Sequence, residues 1–231
     1  MELATYDTGT GDRTALLVHG AMSDHGTWHA VEAHLTGLGY RVIGVDMRGH
    51  GASGRGGYSV RALGDDLVDS LPSGADLAIG HSMGGLALSL AVERLAPARA
   101  VYSDPAFGFA QVDPGVSAAM RRMVAEATAE SVRAMNPRWS DADIAAELAG
   151  FAAFDPAFFD VVADAAAHDP MPAAAAVPSL VQLADPSFTV DAEGARRLAE
   201  RGFEVRTVAG AGHCIHRDDL PGFLASLDGW I

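Results

Sequence analysis

Leu77-Ala78-Ile79-Gly80-His81-Ser82-Met83-Gly84-Gly85 is a short apolar run that ends in Gly-x-Ser-x-Gly and passes into an Ala- and Leu-rich helical pattern reaching about Leu95. This is strand, sharp turn and helix, with a serine at the apex, the one context in which the pentapeptide carries meaning. Gly80 and Gly84 remove side-chain bulk where strand and helix would collide, and the turn forces Ser82 toward strained backbone angles. Its Oγ would then stand above the sheet edge with a helix N-terminus beneath it to favour negative charge. A glycine-rich βα turn with an ordinary N-cap serine would read the same way, so the rest of the chain has to decide.

The rest of the chain reads as α/β. Thr14–Val18, Arg41–Val45, Asp76–Ile79, Arg99–Tyr102, Ser179–Leu183 and Phe203–Val208 are short apolar runs, several of them continuous rather than alternating. Continuous hydrophobicity marks strands buried on both faces. Helical patterns separate them, at Trp28–Leu35, from the Ser59 N-cap to Leu71, and at Ser82–Leu95. Two more follow, one after Leu183 to about Arg201 and one from Asp219 to Ile231. Such alternation predicts a parallel sheet with right-handed crossovers and helices on both faces. It stops between 105 and 177, where Ala-rich helical patterns are broken by prolines and bulky apolar residues accumulate. That stretch is too long for a loop and predicts a helical subdomain, dividing the chain into a core of 1–104 plus 178–231 and an insertion of 105–177.

Composition narrows the function. At 231 residues and 49% hydrophobic, the chain can fill one compact core. A net charge of −14 with no basic stretch excludes nucleic acid and anionic membrane surfaces as partners. The single Cys214 requires no oxidising compartment, and the N-terminal residues show neither a basic nor an apolar leader segment. No apolar run approaches the length of a membrane span. A soluble, cytoplasmic protein is expected; the oligomeric state is not legible.

Serine needs a general base in hydrogen-bond reach, itself oriented by a third group. His213, in Gly210-Ala211-Gly212-His213 just after the last strand, is the best of nine histidines, because its loop lies at the same carboxyl edge of the sheet as Ser82. His216 is the rival, expected to be the more exposed. The oxyanion donors expected are the backbone N–H of Met83 and that of Ala21, in the loop after the first apolar strand.

Together His19-Gly20, Asp46-x-Arg48-Gly49-x-Gly51-x-Ser53, Gly80-His81-Ser82-Met83-Gly84-Gly85 and Gly210-x-Gly212-His213 resemble the α/β-hydrolase fold family over nearly the whole chain. The resemblance implies a mostly parallel, roughly eight-stranded sheet with a helical cap inserted after the sixth strand, and no metal or organic cofactor. Asp46 and Arg48 then fall in a structural loop. Most relatives place the triad acid after the seventh strand; here that stretch is Ala184-Asp185-Pro186-Ser187-Phe188, with Ser187 at the acid position and Asp185 two residues early. Asp104 closes the sixth strand, where certain haloalkane dehalogenases and mycotoxin lactone hydrolases carry their acid. Asp104 is therefore the preferred acid and Asp185 the alternative.

A serine disfavours the dehalogenases and epoxide hydrolases of this fold, which need a carboxylate nucleophile, and implies an acyl-enzyme. The aromatic and Met-rich insertion suggests a modest hydrophobic substrate, with Met22, Phe107, Trp139 and Phe154 as candidate pocket residues. The reading is a serine esterase or lactonase acting on a small hydrophobic ester or lactone and water. A C–C bond hydrolase, a cofactor-free lyase or cyclase, and a non-catalytic receptor of the same fold remain open.

Overall fold

The computed structural model describes residues 1–108, 114–159 and 170–231. Seven strands form one sheet: β1 (Thr5–Thr8), β2 (Arg13–Val18), β3 (Tyr40–Val45), β4 (Leu77–His81), β5 (Ala100–Ser103), β6 (Ser179–Leu183) and β7 (Glu204–Thr207). Their spatial order is β1-β3-β2-β4-β5-β6-β7, with only β1 antiparallel to its neighbour. The resemblance implied about eight strands. The structure has seven, six on the apolar runs and β1 before them, and no eighth among the described residues.

Alternation along each strand separates two cores. Leu16 and Val18 of β2 face one side with α2 (Val60–Ser70) and α3 (Met83–Leu95); Ala15 and Leu17 face the other with α1 (His29–Gly37) and the C-terminal residues Phe223, Leu227 and Trp230. Every residue of β4 is buried, as a central parallel strand covered on both faces requires. Ser59 caps α2 as expected, its side chain accepting from the Ala62 N–H. The expected long last helix is shorter: it spans Leu220–Ala225, and Gly229, at φ 79°, continues the chain in a left-handed turn.

Between β5 and β6 lie α4 (Pro114–Glu126), α5 (Ala129–Met135) and α6 (Asp141–Ala152), then a short 3-10 turn over Pro156–Phe159. α5 and α6 each start with a capping box, set by Thr128 and Ser140. Val132, Trp139, Ile144 and Phe151 make a small core of their own, whereas Phe154, Phe158 and Phe159 join the main core. Residues 109–113 and 160–169 of this insertion lie outside the described residues. No helix among the described residues is long and apolar enough to cross a membrane.

β2 sends the chain to β3 on one side, and β4 lies on the other, so the direction of winding reverses between β2 and β4. Ligands in open α/β sheets bind at the carboxyl ends of the strands beside such a reversal. The loop carrying Ala21 and the turn carrying Ser82 flank it.

Candidate active site

Ser82 sits between β4 and α3 at φ 52°, ψ −119°, a region that L-residues rarely adopt. The surroundings hold it there. A Cβ on Gly80 would come 2.5 Å from the Gly84 carbonyl oxygen, and one on Gly84 would come 2.3 Å from that of His19. The Ser82 N–H donates to the Ser103 carbonyl at 3.0 Å, and the Ser82 carbonyl accepts from Ala106 and Leu86. Although Ser82 occupies the N-cap position of α3, its side chain makes no cap bond. The hydroxyl points instead to His213.

Ser82 Oγ lies 3.0 Å from His213 Nε2, and His213 Nδ1 lies 2.6 Å from Asp104 Oδ2. The carboxylate can only accept, so Nδ1 carries the proton, and Nε2 of the neutral ring is left to accept from the serine. Asp104 is fully buried after β5. Burial pushes its pKa up, but the hydrogen bonds and charge of His213, the Ala184 N–H and the Ser187 hydroxyl outweigh burial and hold it below the ordinary carboxylate value. The Ala184 N–H donates to its other oxygen at 3.0 Å. Ser187 thus stands where the resemblance expected an acid, and it serves the acid that replaced it.

Asp185 is not brought to His213. Its backbone N–H donates to the Ala211 carbonyl and its Oδ2 accepts from the Gly210 N–H at 3.1 Å, so it braces the loop that carries His213. His216 corrects the expectation of exposure: it is 3% exposed and stacks on Trp28 at 4.2 Å. Neither of its ring nitrogens has a partner among the described residues.

The loop after β2 is braced by two histidines, His19 and His50. His19 donates from Nδ1 to the Gly20 carbonyl at 2.6 Å and accepts at Nε2 from the Met47 N–H. His50 donates to the Arg48 carbonyl and accepts from the Met22 N–H at 3.1 Å. Both rings are kept neutral by burial, which drives the pKa of His50 down to about 3 and that of His19 below its usual value. In a planar trans peptide the N–H points opposite to the C=O. Pinning the Gly20 carbonyl on His19 therefore turns the Ala21 N–H away from it. Among the described residues, neither the Ala21 nor the Met83 N–H has a hydrogen-bond acceptor. His81 fixes the opposite wall, donating from Nε2 to the His213 carbonyl at 2.9 Å while burial lowers its pKa to about 4.

The loop of Asp46–Ser53 behaves as a brace. Asp46 accepts from the His25 N–H and ring, the Ala52 N–H and Tyr6 Oη, and Arg48 pairs with buried Asp66 at 2.7 Å.

A cavity of about 230 Å³ opens over Ser82 and His213. Ala21, Met22 and Met83 line it, with Leu86, Met120, Phe158, Phe159 and Phe188 as its apolar walls. Of the candidate pocket residues only Met22 is among the lining. Trp139 is buried in the insertion's own core, its Nε1 donating to Asp218 at 2.8 Å; Phe107 packs on Tyr102, and Phe154 on His50, Phe158 and Phe159. Their sequence signal, bulk and hydrophobicity, is the same for core and pocket. Glu147, Cys214 and Arg217 also line the cavity, and nothing in their local sequence marked them.

The family model described as "Alpha/beta hydrolase family" matches residues 15–226. Methyl jasmonate esterase 1 of Vitis vinifera is 30% identical over 90 residues, 36% of this chain and 34% of that protein, so the match spans about a third of the relative's length. The N-formylmaleamic acid deformylase of Pseudomonas putida superposes with a TM-score of 0.79 at 23% identity, covering 98% of this chain and 96% of that one. The enol-lactonase of Burkholderia xenovorans does so at 0.74 and 24%, covering 98% and 95%. By its fold and by the family model, the chain belongs to the alpha/beta hydrolase family.

Proposed function

We propose that the chain is a serine hydrolase cleaving a carboxylic ester or lactone of a modest hydrophobic substrate through an acyl-enzyme. The observation that carries this reading is the continuous line from Ser82 Oγ through His213 to Asp104, at 3.0 and 2.6 Å, opening into an apolar cavity. A relative named an esterase, and a solved structure of the same fold named an enol-lactonase, support ester or lactone hydrolysis here.

In this reading His213 takes the Ser82 hydroxyl proton as Oγ bonds to the substrate carbonyl carbon. The oxyanion that forms is met by the Ala21 and Met83 N–H groups, each worth about 2.7–4 kcal/mol of barrier. Collapse breaks the C–O bond, and His213 hands its proton to the departing alkoxide. Water then adds to the acyl-enzyme, again giving its proton to His213, and collapse returns Ser82 and releases the acid. Asp104 stays ionised, fixes the imidazole tautomer and stabilises the imidazolium. The insertion of 105–177 acts as a cap whose Phe158 and Phe159 exclude water from this step.

The test is a fluorophosphonate probe with a panel of p-nitrophenyl esters. Labelling at Ser82 and turnover of short esters support the reading. Labelling elsewhere, with turnover surviving in Ser82→Ala, overturns the mechanism, and a ligand-induced melting shift without turnover makes the chain a receptor.

A further inference from the structure

Among the described residues lining the cavity, the only carboxylate is Glu147 and the only guanidinium is Arg217, and they are paired. Arg217 Nη1 donates to Glu147 Oε2 at 2.7 Å, Nη2 donates to Cys214 Sγ at 3.2 Å, and the guanidinium lies 3.8 Å over the Trp139 ring. The side chains are 4% and 16% exposed. Burying an ion pair costs several kcal/mol per ion unless further hydrogen bonds complete it. This pair is incomplete. Of five guanidinium N–H groups, two are engaged by the described residues, and Nε has no acceptor among them. Glu147 has one oxygen paired and the other without a donor among the described residues.

An apolar wall would have served a purely apolar substrate at lower cost. Resting on the hydrolase reading above, we propose that Arg217 and Glu147 form a polar subsite that recognises a neutral hydrogen-bonding group, a hydroxyl or carboxamide, on the otherwise hydrophobic substrate. Such a group both accepts from Arg217 and donates to Glu147. A carboxylate would meet the Glu147 charge and an ammonium the Arg217 charge, so the neutral pair selects against both. Stacking on Trp139 and the Cys214 contact fix the plane of the guanidinium, which makes the subsite directional.

Methyl hexanoate is compared with methyl 3-hydroxyhexanoate and methyl 6-hydroxyhexanoate, as kcat/KM with the wild type and as binding to Ser82→Ala by calorimetry. The wild type should favour one hydroxylated ester about tenfold, 1.4 kcal/mol, with adipic acid monomethyl ester disfavoured. In Glu147→Leu/Arg217→Met the ratio should fall to about one. Glu147→Gln keeps shape and hydrogen bonding, covers the case in which the double variant does not fold, and should restore acceptance of the monomethyl adipate. A wild type that prefers methyl hexanoate, a hydroxyl preference that survives in the folded double variant, or a Glu147→Gln that still rejects the monomethyl adipate overturns the subsite. If no ester is turned over but Ser82→Ala binds the hydroxylated ester more tightly, the hydrolase reading falls and the subsite stands.

Discussion

Asp104 Oδ2 and His213 Nδ1 meet at 2.6 Å across 109 residues of chain, while Asp185 is bonded to the Gly210 N–H on the back of the same loop. The two acids that the sequence left in competition therefore have different jobs. Asp104→Asn should reverse the donor at this position and leave His213 in the wrong tautomer, costing about 10⁴ in turnover. Asp185→Asn should keep at least a tenth of the activity. Steady-state rates on a short p-nitrophenyl ester, with circular dichroism to verify folding, check both. A dead Asp185→Asn beside an active Asp104→Asn would move the acid to the loop after β6.

Phe158 and Trp139 separate wall from core. Phe158 lines the cavity, so Phe158→Ala should enlarge it and shift the preferred acyl chain toward longer esters. Trp139→Ala removes a buried ring together with its bond to Asp218 and the surface on which Arg217 stacks. It should lower stability by about 3–5 kcal/mol without lengthening the preferred chain. Urea midpoints and a chain-length series from acetate to decanoate distinguish the outcomes; a longer optimum in Trp139→Ala would put the ring in the pocket.

The elbow and the alternation of strands with helices were legible because each is written in local sequence. Short continuous apolar runs bounded by turn residues fit strands covered on both faces, and glycines at Gly80 and Gly84 are required where Cβ atoms would strike backbone. Asp104 was legible only by its place at the end of a strand. The pocket was not legible, because Phe158 and Trp139 carry the same signal and tertiary packing alone decides which faces the cavity. The roles of His19, His50, Glu147 and Arg217 depend on contacts between segments distant in sequence, which no local pattern encodes.

Gly84→Ala tests how tightly the turn is packed. The added methyl would lie 2.3 and 2.5 Å from the His19 and Val18 carbonyl oxygens, both backbone atoms that cannot swing aside. Relief would require moving α3 away from β2, and with it the Met83 N–H from the Ala21 N–H. The variant should lose at least about 1–3 kcal/mol of stability by overpacking, and its turnover should fall in kcat. Unchanged kcat in a folded Gly84→Ala would show that the two donors need not be held in register.

His216 gives a prediction with a sign that runs against intuition. Its ring is buried against Trp28, both nitrogens lack a partner among the described residues, and burial with neighbouring positive groups holds its pKa well below the ordinary value. An unfolded chain protonates this histidine as pH falls through about 6.5 while the folded chain does not. The unfolded state then binds more protons, so stability rises with pH and is lost progressively below about 6.5, at a rate approaching about 1.4 kcal/mol per pH unit. His81 and His50, with pKa values lowered to about 4 and about 3, act in the same direction. His216→Phe fills the same apolar slot without an orphaned nitrogen, and such replacements are neutral to stabilising. It should keep turnover, raise the urea midpoint at pH 5.0, and narrow the gap between the midpoints at pH 7.5 and 5.0. Measuring the variant against the wild type cancels His25, whose pKa is raised by Asp46 against its partial burial and which works in the opposite sense. A variant as acid-sensitive as the wild type would mean that His216 already finds a proton acceptor in the folded state, and a variant without turnover would make His216 part of the chemistry.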